Sequence, residues 1–129
     1  YITIDYAKGC LFYSSAGHPP LILIGQNGSL RILNVHGPVI GTGSGHSYLR
    51  EKVQLKSGDK VILYTDGILD YSNEMGEFFG KERLLRILGQ FAASPVQILM
   101  DMVQESMKNF AGGTNPNDDA SIMAIEYME

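Results

Sequence analysis

Tryptophan is absent and cysteine occurs once, at Cys10, in a chain of 129 residues. A lone cysteine inside an apolar stretch excludes a disulfide framework and fits a reducing, cytoplasmic setting. Histidine is scarce: His18, His36 and His46 lack the close ligand spacing of a zinc site. Basic residues never run together, and 10 Lys and Arg against 14 Asp and Glu leave a net charge of −4. That balance excludes the basic face a nucleic-acid binder needs. No apolar stretch reaches the roughly 18–20 residues of a membrane span, so no membrane contact is expected from this segment. The GTGSG stretch at 41–45 lacks the Lys-Ser/Thr ending of a phosphate loop and opens no helix, so it reads as a flexible loop. Ser14 and Ser15 have no partnered base in view, which leaves a serine-nucleophile reading little weight.

What is present is ordinary core material, 44% hydrophobic with 19% charged residues, enough for one globular domain or part of one. The first half alternates as strands do. Ile2, Ile4 and Tyr6 alternate, Lys8-Gly9 turns, and Leu11 and Tyr13 resume, predicting a hairpin. Pro19-Pro20 interrupts, Leu21–Ile24 makes a short buried strand, and Asn27-Gly28 is a strong hairpin turn leading into Leu30–Leu33. Residues 34–46 form a loop, and Leu49, Glu51, Val53 and Leu55 share one face of the next strand. Ser57-Gly58-Asp59 then turns into the strand at 60–65.

The second half changes period. Leu84, Leu85, Ile87, Leu88 and Phe91 follow helical spacing after Gly80. Ser94-Pro95-Val96-Gln97 reads as a capping box with proline at the first helical position. Behind it Ile98, Leu99, Met102, Val103, Met107 and Phe110 form an apolar stripe that Ala111-Gly112-Gly113 ends. A loop at 115–119 precedes a last strand, Ile122–Tyr127. Strands, then two helices, then a returning strand predict an α+β fold in which each helix buries one face on a sheet. The opening Tyr1–Tyr6, already in strand alternation, reads as a piece of something longer.

The carboxylates carry the chemistry. Asp66 ends the run VILYTDG, Asp70 follows one helical turn later, and Asp118-Asp119 precedes the last strand. If the strands at 60–65 and 122–127 are neighbours, these acids meet at one end of a sheet, where unpaired carboxylates repel. A hard divalent cation relieves that repulsion, and Mg²⁺ or Mn²⁺ suits carboxylate and water ligands. Two such ions about 4 Å apart can generate a hydroxide and clamp a phosphoryl group. The bland alternative is that Asp66-Gly67 and Asn117-Asp118 are turns and nothing more. His18, between Gly17 and Pro19, reads more readily as a turn-shaping residue than as a ligand.

Taken in order, YSSAGHPPLIL (13–23), GPVIG (37–41), LKSGDKVILYTDGILDYSN (55–73), GEFFGKERL (76–84) and NDDASIMAIE (117–126) are similar to one family. They resemble the C-terminal half of the bacterial PPM-type phosphatase domain, in its stage II sporulation protein E-like and RsbU-like branch. The resemblance spans residues 1–129 and implies part of an α-β-β-α sandwich, two antiparallel sheets flanked by helices. It further implies a binuclear Mn²⁺ or Mg²⁺ site and hydrolysis of phosphoserine or phosphothreonine on a regulatory protein, an anti-sigma-factor antagonist in bacterial signalling. By that resemblance Asp66 and Asp118 would be metal ligands and Asp119 a second-ranked one. Asp70 would serve a weaker third ion or stand behind the ligands, with Gly67 and His18 behind them too. The family's first metal-binding segment, whose aspartate bridges both ions, should precede Tyr1, and Asp5, mid-strand without a glycine, does not replace it.

The fragment alone is therefore expected to lack turnover and to self-associate through uncovered sheet surface. Two other readings stay open at this point. One is a non-catalytic signalling module with the phosphatase fold, which replacement of the metal residues in the preceding half would favour. The other is a structural sandwich whose acids only make turns.

Overall fold

A computed structural model describes residues 1–43, 45, 47–114 and 118–129. The expectations that touch His46, part of the 41–46 loop and the Asn117 half of the Asn117-Asp118 turn lie outside the described residues.

Strands β1 (Ile2–Asp5) and β2 (Cys10–Tyr13) pair antiparallel, and β5 (Glu51–Gln54) joins the other edge of β2. A short 3-10 turn, Tyr6–Lys8, closes the first hairpin, with Gly9 at φ 57° where a side chain would be strained. Asp5 caps that turn and pairs with Lys8 at 3.3 Å, so it is used locally. The second sheet runs β4 (Leu30–Leu33), β3 (Leu21–Ile24), β6 (Lys60–Tyr64), β7 (Ile122–Glu126), antiparallel throughout.

The continuous apolar run Val61-Ile62-Leu63-Tyr64 is explained by burial on two faces. Val61 and Leu63 point toward the three-stranded sheet and pack with Leu11, Tyr13, Leu23 and Val53. Ile62 and Tyr64 point the other way, into a core shared with Leu84, Leu88, Leu99 and Val103 of α2 (Gly80–Gln90) and α3 (Val96–Ala111). Each of the fully buried side chains among them contributes roughly 1.5–3 kcal/mol, and the partly buried Leu63 less. The four-stranded sheet is thus the middle layer of a β-β-α stack, and the α+β class with two antiparallel sheets is as expected.

Four details depart from the sequence reading. The capping box does not form: Pro95, with ψ 146°, is the N-cap, no side chain caps the helix, and Gln97 instead donates to Asp101 at 2.9 Å. Proline has no side-chain oxygen to offer, and its carbonyl starts the ladder by accepting from Leu99 N–H at 3.0 Å. The α3 stripe runs Leu99, Val103, Met107, Ala111, a strict i, i+4 row, and leaves Ile98 45% exposed. On the β5 side, Leu49 lies outside the strand and is 68% exposed, because pairing with β2 begins only at Glu51. Finally, one extra helical turn, α1 (Asp66–Leu69), follows β6 directly.

Candidate functional site at the carboxylate end of the central sheet

Register decides which residues meet. Antiparallel pairing matches Tyr64 with Ile122 and Lys60 with Glu126, so the end of β6 lies beside the start of β7. The same logic on the other flank matches Ile24 with Lys60, which puts the start of β3 beside the end of β6. Asp66, Asp118-Asp119 and the His18-Pro19-Pro20 segment therefore occupy one end of the four-stranded sheet, with Asp66 in the middle. Asp66, Asp70, Asp118, Asp119 and His18 are all exposed.

Thr65 holds the two acidic segments together. Its backbone N–H donates to the Ser121 carbonyl at 3.0 Å. Its hydroxyl accepts from Ser121 N–H at 3.0 Å and donates to the Asp119 carbonyl at 3.3 Å. Sequence reasoning singled out neither Thr65 nor Ser121. The available signal was a hydroxyl residue beside each acid where an apolar strand meets polar chain.

Gly67 completes the fit. A Cβ built on it would lie 2.4 Å from the Asp119 carbonyl oxygen, closer than real Cβ atoms essentially ever come, and a tight 3.3 Å from the Ala120 Cα. Glycine stands there so that the 119–120 backbone can lie directly on the first turn of α1. The role is steric rather than electronic, and it fixes the distance between the two acidic segments.

Locally, Asp66 Oδ1 accepts from Gly67 N–H at 3.2 Å and Asp118 Oδ1 from Asp119 N–H at 2.7 Å. Each carboxylate is thus oriented by one backbone donor. Asp70 closes α1, its N–H donating to the Asp66 carbonyl at 2.9 Å. His18 Nδ1 lies 2.8 Å from the Pro19 carbonyl, an acceptor only, so Nδ1 is the donor in this contact.

The donor set is oxygen-only on the β6–β7 side, the chemistry of a hard divalent cation. It is also partial: among the described residues no group of three or more metal-capable side chains forms a cluster. On the helix side, a cavity of about 560 Å³ separates α3 from the 118–122 segment and adjoins this end of the sheet. Among the described residues no helix is long and apolar enough to cross a membrane.

Comparison with known proteins covers nearly the whole chain. The family model for stage II sporulation protein E (SpoIIE) matches residues 1–128. Protein IcfG of Synechocystis sp. is 29% identical over 122 residues, which are 95% of this chain and 19% of that protein. Phosphoserine phosphatase RsbP of Bacillus subtilis is 23% identical over 98% of this chain and 30% of its own length. Among solved structures, the SiaA-PP2C domain of Pseudomonas aeruginosa superposes with a TM-score of 0.86 at 24% identity. That match covers 98% of this chain and 50% of the solved one. The manganese-presoaked phosphatase domain of SpoIIE from Bacillus subtilis superposes at 0.71 with 16% identity, over 99% of this chain and 55% of that one. The chain therefore spans about half the solved chains it matches and less than a third of these curated relatives. With its fold matched and residues 1–128 covered by the family model, the chain belongs to the stage II sporulation protein E family.

Proposed function

We propose that this chain is the C-terminal portion of a PPM-type protein phosphatase domain that removes phosphate from phosphoserine or phosphothreonine of a regulatory protein. The observation that carries the reading is the junction of β6 and β7. There Thr65 and Gly67 bring Asp66 and Asp118-Asp119 to one sheet end in a chain of this family. Asp66 and Asp118 would hold Mn²⁺ or Mg²⁺, with Asp119 as an additional ligand and Asp70, Gly67 and His18 as supports. The presoaked manganese of the SpoIIE neighbour favours the same class of ion.

When bound, the ions supply a water of lowered pKa and a clamp for the phosphoryl oxygens. The chain's own residues do the rest. Asp66 and Asp118 each present a carboxylate oriented by a neighbouring backbone N–H, which lowers the entropy lost on capture. Thr65 and Gly67 keep the two segments at constant separation. The remaining carboxylates would come from the half of the domain that precedes Tyr1, so this segment alone is proposed to bind cations weakly and to show no turnover. The substrate assigned by the resemblance is a phosphorylated anti-sigma-factor antagonist, in the cytoplasm.

The test has two parts. Titrating Mn²⁺ into this chain should broaden the amide resonances of 65–70 and 118–121, and Asp66→Asn should abolish that broadening. In the complete protein, Asp66→Asn should eliminate hydrolysis of a phosphoserine substrate. Broadening spread evenly over the surface, or full turnover in the Asp66→Asn protein, would refute the assignment.

A further inference from the structure

Charge is divided unevenly along the chain. Residues 1–60 hold six Lys and Arg against three Asp and Glu, and residues 61–129 hold four against eleven. At the end of the four-stranded sheet away from the carboxylates, a cavity of about 270 Å³ opens beside the turn at 25–29. Apart from Leu23 its lining is polar or glycine, and Arg31 and Lys56 supply two positive charges. Both residues are exposed. Among the described residues neither forms an ion pair, since the pairs found there use Lys8 and Lys60.

The acids of this region are already engaged. Asp59, the one acid lining the cavity among the described residues, is 5% exposed. Its Oδ1 accepts from Gln26 N–H at 2.9 Å and its Oδ2 from Lys56 N–H at 2.8 Å. Glu51, on β5, accepts from the Tyr13 hydroxyl at 2.8 Å. Each cation has an ordinary account when taken alone. Arg31 pairs across the sheet with Leu23, which packs between the sheets, and an inward-pointing charge on the edge strand β4 discourages strand pairing. Lys56, in the connection from β5 to β6, is a solvated lysine like most others. Neither account gives a reason for two unpaired cations on one cavity whose acid is turned to backbone donors.

We propose that this cavity binds a phosphate-class anion, free or as a monoester, with the Arg31 guanidinium and the Lys56 ammonium on its oxygens. Two cations match a phosphate dianion better than they match a single carboxylate. Arg31 can offer two parallel N–H donors and Lys56 a mobile point charge, a pairing suited to a tetrahedral oxyanion. The inference stands apart from the phosphatase reading above. The cavity lies at the opposite end of the sheet from Asp66, and its positive charge comes from side chains, with no metal ion required.

The experiment titrates inorganic phosphate into this chain, ¹⁵N-labelled, at neutral pH and without divalent cations, so that the carboxylate end has nothing with which to hold it. Sodium chloride at matched ionic strength is the reference. Phosphate should shift the amides of 25–31 and 54–59 saturably, and chloride should not. Arg31→Gln and Lys56→Gln should each weaken phosphate binding about tenfold, the loss of one charge-assisted contact. Both side chains are exposed, and unchanged amide positions elsewhere would show each variant folded. Glycerol 3-phosphate is the second probe: binding at least as tight as phosphate assigns the site to a monoester, and weaker binding assigns it to the free ion. Equal shifts in phosphate and chloride would overturn the proposal. So would an unchanged phosphate affinity in both variants, which would leave Arg31 with its edge-guarding role alone.

Discussion

Replacing Gly67 by alanine tests the junction at its tightest point. The added methyl would sit 2.4 Å from the Asp119 carbonyl oxygen and 3.0 Å from its carbon, and both are backbone atoms that cannot rotate away. The 119–121 segment would have to retreat from α1, which strains the Thr65 hydroxyl bonds to Asp119 and Ser121. Overpacking of this kind costs about 1–3 kcal/mol. Alanine returns part of that through its helix propensity, up to about 1 kcal/mol, although a single-turn helix recovers less. The net expectation is a loss of about 1–2 kcal/mol, or a drop of roughly 4–7 °C in Tm. Because the retreat separates Asp118 from Asp66, Mn²⁺ affinity should fall about tenfold as well. Urea denaturation and Mn²⁺ titration read the two effects. Gly89→Ala, in α2 with only Leu30 Cδ1 at 3.4 Å from the new methyl, is the control and should be neutral or stabilising. A Gly67→Ala chain as stable as wild type, with Mn²⁺ affinity unchanged, would refute the steric account of this glycine.

Further outcomes follow from the same structure. Asp70→Asn in the complete protein should reduce turnover about 10–100-fold without abolishing it, as for a residue behind the ligands, and unchanged steady-state kinetics would remove it from the site. Leu99→Ala, at a fully buried position between α3 and the central sheet, should cost about 2–5 kcal/mol in urea unfolding. Burial, followed by a hydrogen bond to Glu51, pushes the Tyr13 hydroxyl from 10.0 up to about 12. The unfolded chain therefore loses this proton first as pH rises, so the stabilisation is intact below pH 10 and is lost from there through about 12. Tyr13→Phe should flatten that alkaline decline. Met123, on the edge strand β7 and 59% exposed, should drive self-association, so sedimentation should find oligomers that Met123→Lys shifts toward monomer.

Sequence alone determined the local alternation and its breaks. The Leu21–Ile24 strand and the Asn27-Gly28 hairpin follow from period and turn chemistry, which act between residues a few positions apart. The abrupt boundary at Thr65-Asp66 was visible for the same reason: an apolar run buried on both faces has to end where the chain meets water. The order of motifs identified the family, and with it the acids to watch.

Tertiary structure decided what those signals could not reach. Whether Asp66 and Asp118 share an end depends on β7 pairing antiparallel with β6, a contact between residues more than fifty positions apart. Ser94, a good cap by sequence, lost its role because the ladder of α3 begins at the Pro95 carbonyl. Ile98 fits the apolar stripe by period yet faces solvent, since the row that packs into the core runs through Leu99, Val103 and Met107. Gly67 reads in the sequence as a turn residue. Only the packed chain shows that its missing side chain is the space in which the Asp119 backbone lies. Side-chain identity and period are local properties, whereas register and close approach are fixed when distant segments are buried against one another.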